Sequence, residues 1–298
     1  MTAAQLDSLV TLLRSRPAPE TRDVAQARAR FEKLAGFLGG APDARCEKVD
    51  AGGVAAEWIM APGCDPGRAV LYLHGGGYAI GSINTHRRLA YDISAASAAA
   101  ILVIDYRLAP EHPFPAALDD ATAAWRWLAQ QGFPAGRLAI AGDSAGGGLT
   151  IATLVNLRDR KLGLPACAVA ISPWVDLEGL GDSITARAEQ DPMVQKDGLL
   201  WMAGMYLDGR TPKAPLAAPL HADLKGLPPV LVRPARRRRC STMQRASRKN
   251  CMAPATTYAC RSGPTCCMSS PCSRPSSPKD EMAAPRSAPS SATDWPEP

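Results

Sequence analysis

No apolar run in this 298-residue sequence approaches the roughly 18 residues that a membrane span requires, so no transmembrane helix is expected. The N-terminal stretch carries Asp7 near the start of its apolar part and no basic residue ahead of it. It reads as an amphipathic helix and not as a signal peptide, which makes the cytoplasm the expected compartment. Cysteine is scarce where a core could form: only Cys46, Cys64 and Cys167 of the nine precede residue 233, which argues against a disulfide framework there. Histidine is scarcer still, four in all and none after His221. Residues 233–298 contain no Leu, Ile, Val or Phe, yet they hold ten of the 27 prolines and six of the nine cysteines. Such a segment supplies neither a buried strand nor an apolar helix face, and disorder is expected of it.

The net charge of +6 divides at the same place. Residues 233–298 carry 12 Lys/Arg against 4 Asp/Glu, which leaves 22 against 24 in the first 232. A nearly neutral body gives no sign of a nucleic-acid or membrane partner. The basic run Arg236–Arg239 reads as solvated charge and not as a nucleic-acid tether. The cysteines of the tail include no C-x-x-C pair, and no histidine joins them, so no metal site is expected.

What is present is an ample apolar fraction, 46%, arranged in a readable order. Residues 5–38 space Leu6, Leu9, Val10 and Leu13, then Val24, Ala27, Phe31, Leu34 and Leu38, at helical intervals, with Pro17 and Pro19 breaking the run into two helices. Strand signals follow at 44–50 and 55–61. Short unalternating apolar runs then recur at 69–73, 100–104, 138–141, 166–171 and 229–232, separated by helix-length segments that include 115–131 and 145–158. Runs of that kind are what a parallel sheet covered on both faces requires, so the sequence predicts an α/β doubly wound architecture. Residues 183–210 lack a strand run and are expected to form a helical insertion.

Two glycine-rich motifs each follow a predicted strand. Gly142-Asp-Ser-Ala-Gly146 comes after 138–141 and opens the helix at 145–158, the strand–turn–helix setting in which a G-x-S-x-G elbow lifts a nucleophilic serine, here Ser144, above the sheet edge. His74-Gly-Gly-Gly77 comes after 69–73, and glycines there let backbone N–H groups approach a substrate oxygen. The N–H groups of Gly75 and Gly76, with that of Ala145, are the expected oxyanion hole. His74 reads as a prop for the glycine loop. Glu111 and His112 read as architectural, Asp143 as pointing away from the serine, and His221 as a surface residue.

With these motifs the chain resembles the hormone-sensitive-lipase-like family of α/β hydrolases. The matching stretches are His74-Gly-Gly-Gly-Tyr-Ala-Ile-Gly-Ser82, Asp105-Tyr-Arg-Leu-Ala-Pro-Glu-His-Pro-Phe-Pro-Ala-Ala-Leu-Asp119, Gly142-Asp-Ser-Ala-Gly-Gly147 and Ser172-Pro-Trp-Val-Asp176. The resemblance implies an α/β-hydrolase domain over 41–232, capped by residues 1–40 and by the insertion at 183–210. It implies hydrolysis of small carboxylic esters, usually short-acyl, through an acyl-enzyme on Ser144 and without a cofactor. The family also includes a hormone receptor that has lost its triad histidine, so a non-catalytic ligand-binding relative is the alternative.

A serine hydrolase of this order needs an acid and then a histidine after the serine. In the family the acid follows the strand matching 229–232 and the histidine follows one further strand; neither is found here. The composition changes within a residue or two of Val232, in the middle of an expected sheet. Taking the third base of each codon with the first two of the next, residues 236–250 permit an acidic amphipathic helix start, and residues 262–269 permit a turn bearing a histidine. A frameshift near Arg233 is therefore expected. It leaves the present chain without its last strand and helices and nearly without activity.

Overall fold

The structure, a computed structural model, describes residues 3–15, 22–37, 40–41, 43–186 and 188–233. The N-terminal run forms α1 (Ala3–Arg14) and α2 (Val24–Phe37). The break expected at Pro17 and Pro19 lies outside the described residues, as does the whole segment from 234 onward, with its basic run and its six cysteines. Two strands follow, β1 (Arg45–Asp50) and β2 (Ala55–Met60), and then β3 (Asp65–Leu73), α3 (Ile83–Ser97) and β4 (Ala99–Ile104). The chain continues through α4 (Ala116–Ala129), β5 (Leu138–Asp143), α5 (Ala145–Asp159), β6 (Cys167–Ile171), α6 (Asp182–Ala186), α7 (Lys196–Leu207) and β7 (Val230–Arg233).

These strands make one seven-stranded sheet in the order β1-β2-β4-β3-β5-β6-β7. β1, β2 and β4 pair antiparallel, and the pairings from β4 through β3, β5 and β6 to β7 are parallel. The reason lies in the apolar runs. All six residues of β4 and the last five of β3 are buried, so both faces need cover. Alternate side chains go to opposite layers. Leu71, Leu73, Leu102 and Ile104 join α4, α5 and α7, while Val70, Tyr72, Ile101 and Val103 pack with Ile83 and Ala90 of α3. Each fully buried aliphatic side chain contributes about 1.5–3 kcal/mol. Helix α5 is buried from Ala145 to Leu157 on every side, as befits a helix without a polar face.

One strand is longer than its apolar run. β3 begins at Asp65 instead of residue 69, with a register shift between Asp65 and Ala69. Its first four residues, Asp-Pro-Gly-Arg, carry no hydrophobic signal. At the far edge β7 pairs only with β6 among the described residues, and Leu231 is 40% exposed. No helix among the described residues is long and apolar enough to cross a membrane.

The connection leaving β3 crosses to β4 on one side, and the one leaving β5 crosses to β6 on the other. The carboxyl ends of β3 and β5 therefore flank a topological switch point, where loops diverge and leave a crevice in open α/β sheets. Both glycine motifs sit there.

Candidate active site

Ser144 joins β5 to α5 with φ 52° and ψ −118°, a sparsely populated conformation for a residue with a side chain. Three backbone hydrogen bonds hold it. Its N–H donates to Ile171 O at 2.9 Å, and its carbonyl accepts from Gly148 N at 3.1 Å and from Trp174 N at 2.8 Å. The Ser172-Pro-Trp174 segment thus braces the turn from the neighbouring strand's end. The flanking glycines are required by space. A Cβ on Gly142 would meet the carbonyls of Gly146 and Leu73, and one on Gly146 would overlap those of Leu73 and His74.

The loop after β3 is folded so that each peptide is fixed by its carbonyl. His74 Nδ1 lies 2.8 Å from Gly75 O, an acceptor only, so Nδ1 carries the proton. Gly76 O accepts from Ala79 N at 3.1 Å and from Ile80 N at 2.9 Å. In a trans peptide the N–H points opposite to the C=O. These bonds therefore turn the N–H groups of Gly76 and Gly77 away from the loop body. Among the described residues neither of these N–H groups, nor that of Ala145 at the start of α5, has an acceptor.

Gly75 differs from the sequence expectation. Its N–H donates to Asp143 Oδ1 at 3.0 Å, with His86 Nε2 at 3.3 Å, so it is engaged inside the protein. The physical reason is position: Gly75 packs directly against the Asp143 carboxylate, which a Cβ there would strike. Gly77, left out of the sequence assignment, carries the available N–H instead. Its φ of +61° and the overlap that a Cβ would make with Met202 Sδ place α7 immediately over this loop.

Asp143 is the hub of a buried polar cluster. Its Oδ1 also accepts the Tyr72 hydroxyl at 2.9 Å and lies 3.4 Å from His86 Nε2. Burial pushes the carboxyl up, but His86 and then Tyr72 outweigh it and hold it below the ordinary value. Tyr72, buried beside this charge, has its phenol raised well above the usual range, first by burial. His74 stacks on Tyr106 with ring centroids 4.2 Å apart, and burial lowers its imidazole to about 3. It is neutral at pH 7.

His86 was not picked out by the sequence; nothing local marks a histidine on an ordinary helix. The remaining histidines are elsewhere. His112 follows Glu111, whose carboxylate is paired with Arg28 at 2.7 Å, and His221 lies 3.6 Å from Glu178. Among the described residues no side chain hydrogen-bonds the Ser144 hydroxyl, and no group of three metal-ligating side chains occurs. The switch point thus brings a serine of unusual backbone conformation to the same sheet edge as three N–H groups without an acceptor among the described residues. Among the described residues no base contacts the Ser144 hydroxyl.

Residues 70–257 match a protein family described by the alpha/beta hydrolase fold, a stretch that runs past Val232, where the composition changes. An acetyl-hydrolase of Streptomyces hygroscopicus is 47% identical over 213 residues, 72% of this chain and 69% of that protein. An esterase of Acinetobacter venetianus is 32% identical over 192 residues, 64% of this chain and 63% of its own length. Among solved structures, an esterase/lipase from an uncultured bacterium superposes with a TM-score of 0.79 at 46% identity, covering 84% of this chain and 86% of that one. An esterase from the bacterial hormone-sensitive lipase family gives 0.80 at 43% identity, covering 84% of each chain. The chain belongs to the α/β-hydrolase fold family, in its hormone-sensitive-lipase-like branch of carboxylic ester hydrolases.

Proposed function

We propose that this chain carries the acylation half of a cytoplasmic serine esterase for small carboxylic esters, and that its present sequence leaves that machinery incomplete. The observation that carries the reading is Ser144 at φ 52° on the strand–helix turn, at the switch point where the N–H groups of Gly76, Gly77 and Ala145 have no acceptor among the described residues. Ser144 Oγ is the atom that attacks the ester carbonyl, the three N–H groups hold the oxyanion, and the hydroxyl proton has to pass through a base to the departing alcohol as the acyl-enzyme forms. Gly75 is dropped from the donor set because Asp143 occupies its N–H.

Among the described residues no base is in place to take the proton of the Ser144 hydroxyl. None of the four histidines hydrogen-bonds Ser144 among the described residues, and no histidine follows His221. A frameshift near Arg233 accounts for this best. The composition breaks there, inside the stretch matched to the family, and the shifted frame permits a histidine-bearing turn. The missing base favours a second reading, a protein that binds its ligand in the crevice without turning it over.

Nitrophenyl acetate hydrolysis by the full chain and by Ser144→Ala tests the proposal. The parent chain is expected to turn over about 10⁴-fold or more below an intact serine hydrolase. Any residual rate is expected to vanish in Ser144→Ala, and a residual rate that survives the substitution refutes Ser144 as nucleophile.

A further inference from the structure

We propose that helix α2 is a strap on the oxyanion loop and that Arg28 is its positioning residue, orienting the Gly77 N–H without touching substrate. The inference rests on the reading of Gly76 and Gly77 as oxyanion donors.

Arg28, Phe31 and Glu32 stand at i, i+3 and i+4 on one face of α2, and all three meet the segment that follows the glycines. Arg28 Nε donates to Ala79 O at 2.8 Å, and its Nη2 donates to Ala109 O at 3.0 Å. The same guanidinium grips Glu111 with both ends, at 2.8 and 2.7 Å. Phe31 sets its ring edge-on to His86, with centroids 6.0 Å apart. Glu32 Oε1 accepts the Ser82 hydroxyl at 2.6 Å, and Ser82 is the residue that caps α3.

The route from Arg28 to the oxyanion donors is short. Ala79 is fully buried, and its own N–H donates to Gly76 O. Gly76 O and Gly77 N–H belong to one planar peptide, so whatever fixes the first aims the second. On the other side Tyr78 O accepts from Ala109 N at 2.8 Å, and Ala109 O is held by the same guanidinium. Arg28 therefore closes a ring of bonds around residues 76–79 and 109–111. Without it the Ala79 carbonyl loses its donor inside the protein and the turn is free to rotate its peptides. Lysine at this position offers one ammonium where the planar fork serves two carbonyls and a carboxylate at once.

The test compares the full chain with Arg28→Ala and Arg28→Lys by two readouts: amide hydrogen exchange over residues 76–82, and affinity for butylboronic acid. The serine oxygen adds to boron, its proton passes to bulk water, and the tetrahedral anionic adduct places a boron-bound oxygen at the oxyanion position. Arg28→Ala is expected to raise exchange at Ala79 and Ile80, whose N–H groups donate to Gly76 O, and to weaken the boronate, each by about tenfold or more, with Arg28→Lys in between and far-UV circular dichroism unchanged. A parent chain that binds boronate and an Arg28→Ala variant that binds it equally well overturn the strap alone. A parent chain that binds no boronate, with exchange still rising in Arg28→Ala, overturns the reading of the serine site and leaves α2 as a holder of the loop. Unchanged exchange overturns the strap in either case. Should Arg28→Ala fail to fold, Glu32→Ala, at an exposed position, replaces it. A smaller rise in exchange over 76–82 supports the strap, and none overturns it.

Discussion

The Asp143 carboxylate accepts the Gly75 N–H at 3.0 Å on the same oxygen that accepts the Tyr72 hydroxyl at 2.9 Å, joining the Ser144 turn to the glycine loop across 68 residues of sequence. The residue beside the proposed nucleophile is thus a structural tie. Asp143→Ala leaves the buried Tyr72 hydroxyl without its acceptor and the Gly75 N–H with only the longer contact to His86, and is expected to cost about 2–4 kcal/mol. Asp143→Asn keeps an oxygen that can accept and is expected to cost less. Urea midpoints of the three proteins check this, and an alanine variant as stable as the parent contradicts it.

Gly146→Ala asks whether α5 and β3 are packed as closely as described. A Cβ there overlaps the backbone carbonyls of Leu73 and His74, which cannot move aside as a flexible side chain would. Separating the helix from the strand is expected to cost on the order of 1–3 kcal/mol. The elbow is expected to shift with it. The thermal midpoint reads the first effect, and the rate at which a sulfonyl fluoride labels Ser144 reads the second. No change in either counts against the packing.

Acid should act through His74. Its imidazole is lowered to about 3 by burial, against an ordinary value near 6.5, so between these limits the unfolded chain binds the proton and the folded one does not. Stability is then present above the unfolded value and is lost as pH falls below it. The loss from this group is about 2 kcal/mol between pH 7 and pH 5. His74→Gln removes that slope. Urea titrations of both proteins at the two pH values measure it, and equal slopes contradict it.

The edge that β7 forms among the described residues has its own consequence. β7 pairs only with β6 among the described residues, and Leu231 is 40% exposed on it. An exposed apolar residue on an edge strand invites pairing with another chain, and an edge lysine discourages it. Leu231→Lys is expected to lower light scattering of the concentrated protein. Equal scattering from parent and variant shows that association arises elsewhere.

Much of the fold was legible because its signals are local. The buried runs at 100–104 and 138–141 appear as β4 and β5 within two residues of their expected ends. The setting of Ser144 between strand and helix follows from the order of apolar and glycine residues alone. What the sequence hid were relationships over distance. Which glycine N–H stays available depends on Asp143, and the anchoring of Ala79 depends on Arg28, 51 residues earlier. No periodicity encodes either. The start of β3 at Asp65 was hidden for a different reason, since that half of the strand is polar.

The most direct test of the account is a side-by-side nitrophenyl acetate assay of the present chain and of a version with the reading frame restored by one base near the Arg233 codon. Turnover is expected in the restored protein, with its new histidine required for it, and a rate about 10⁴-fold or more lower in the present chain. A present chain that matches the restored one, with both rates abolished by Ser144→Ala, would show that the base is already in place and would contradict the claim that the machinery is incomplete.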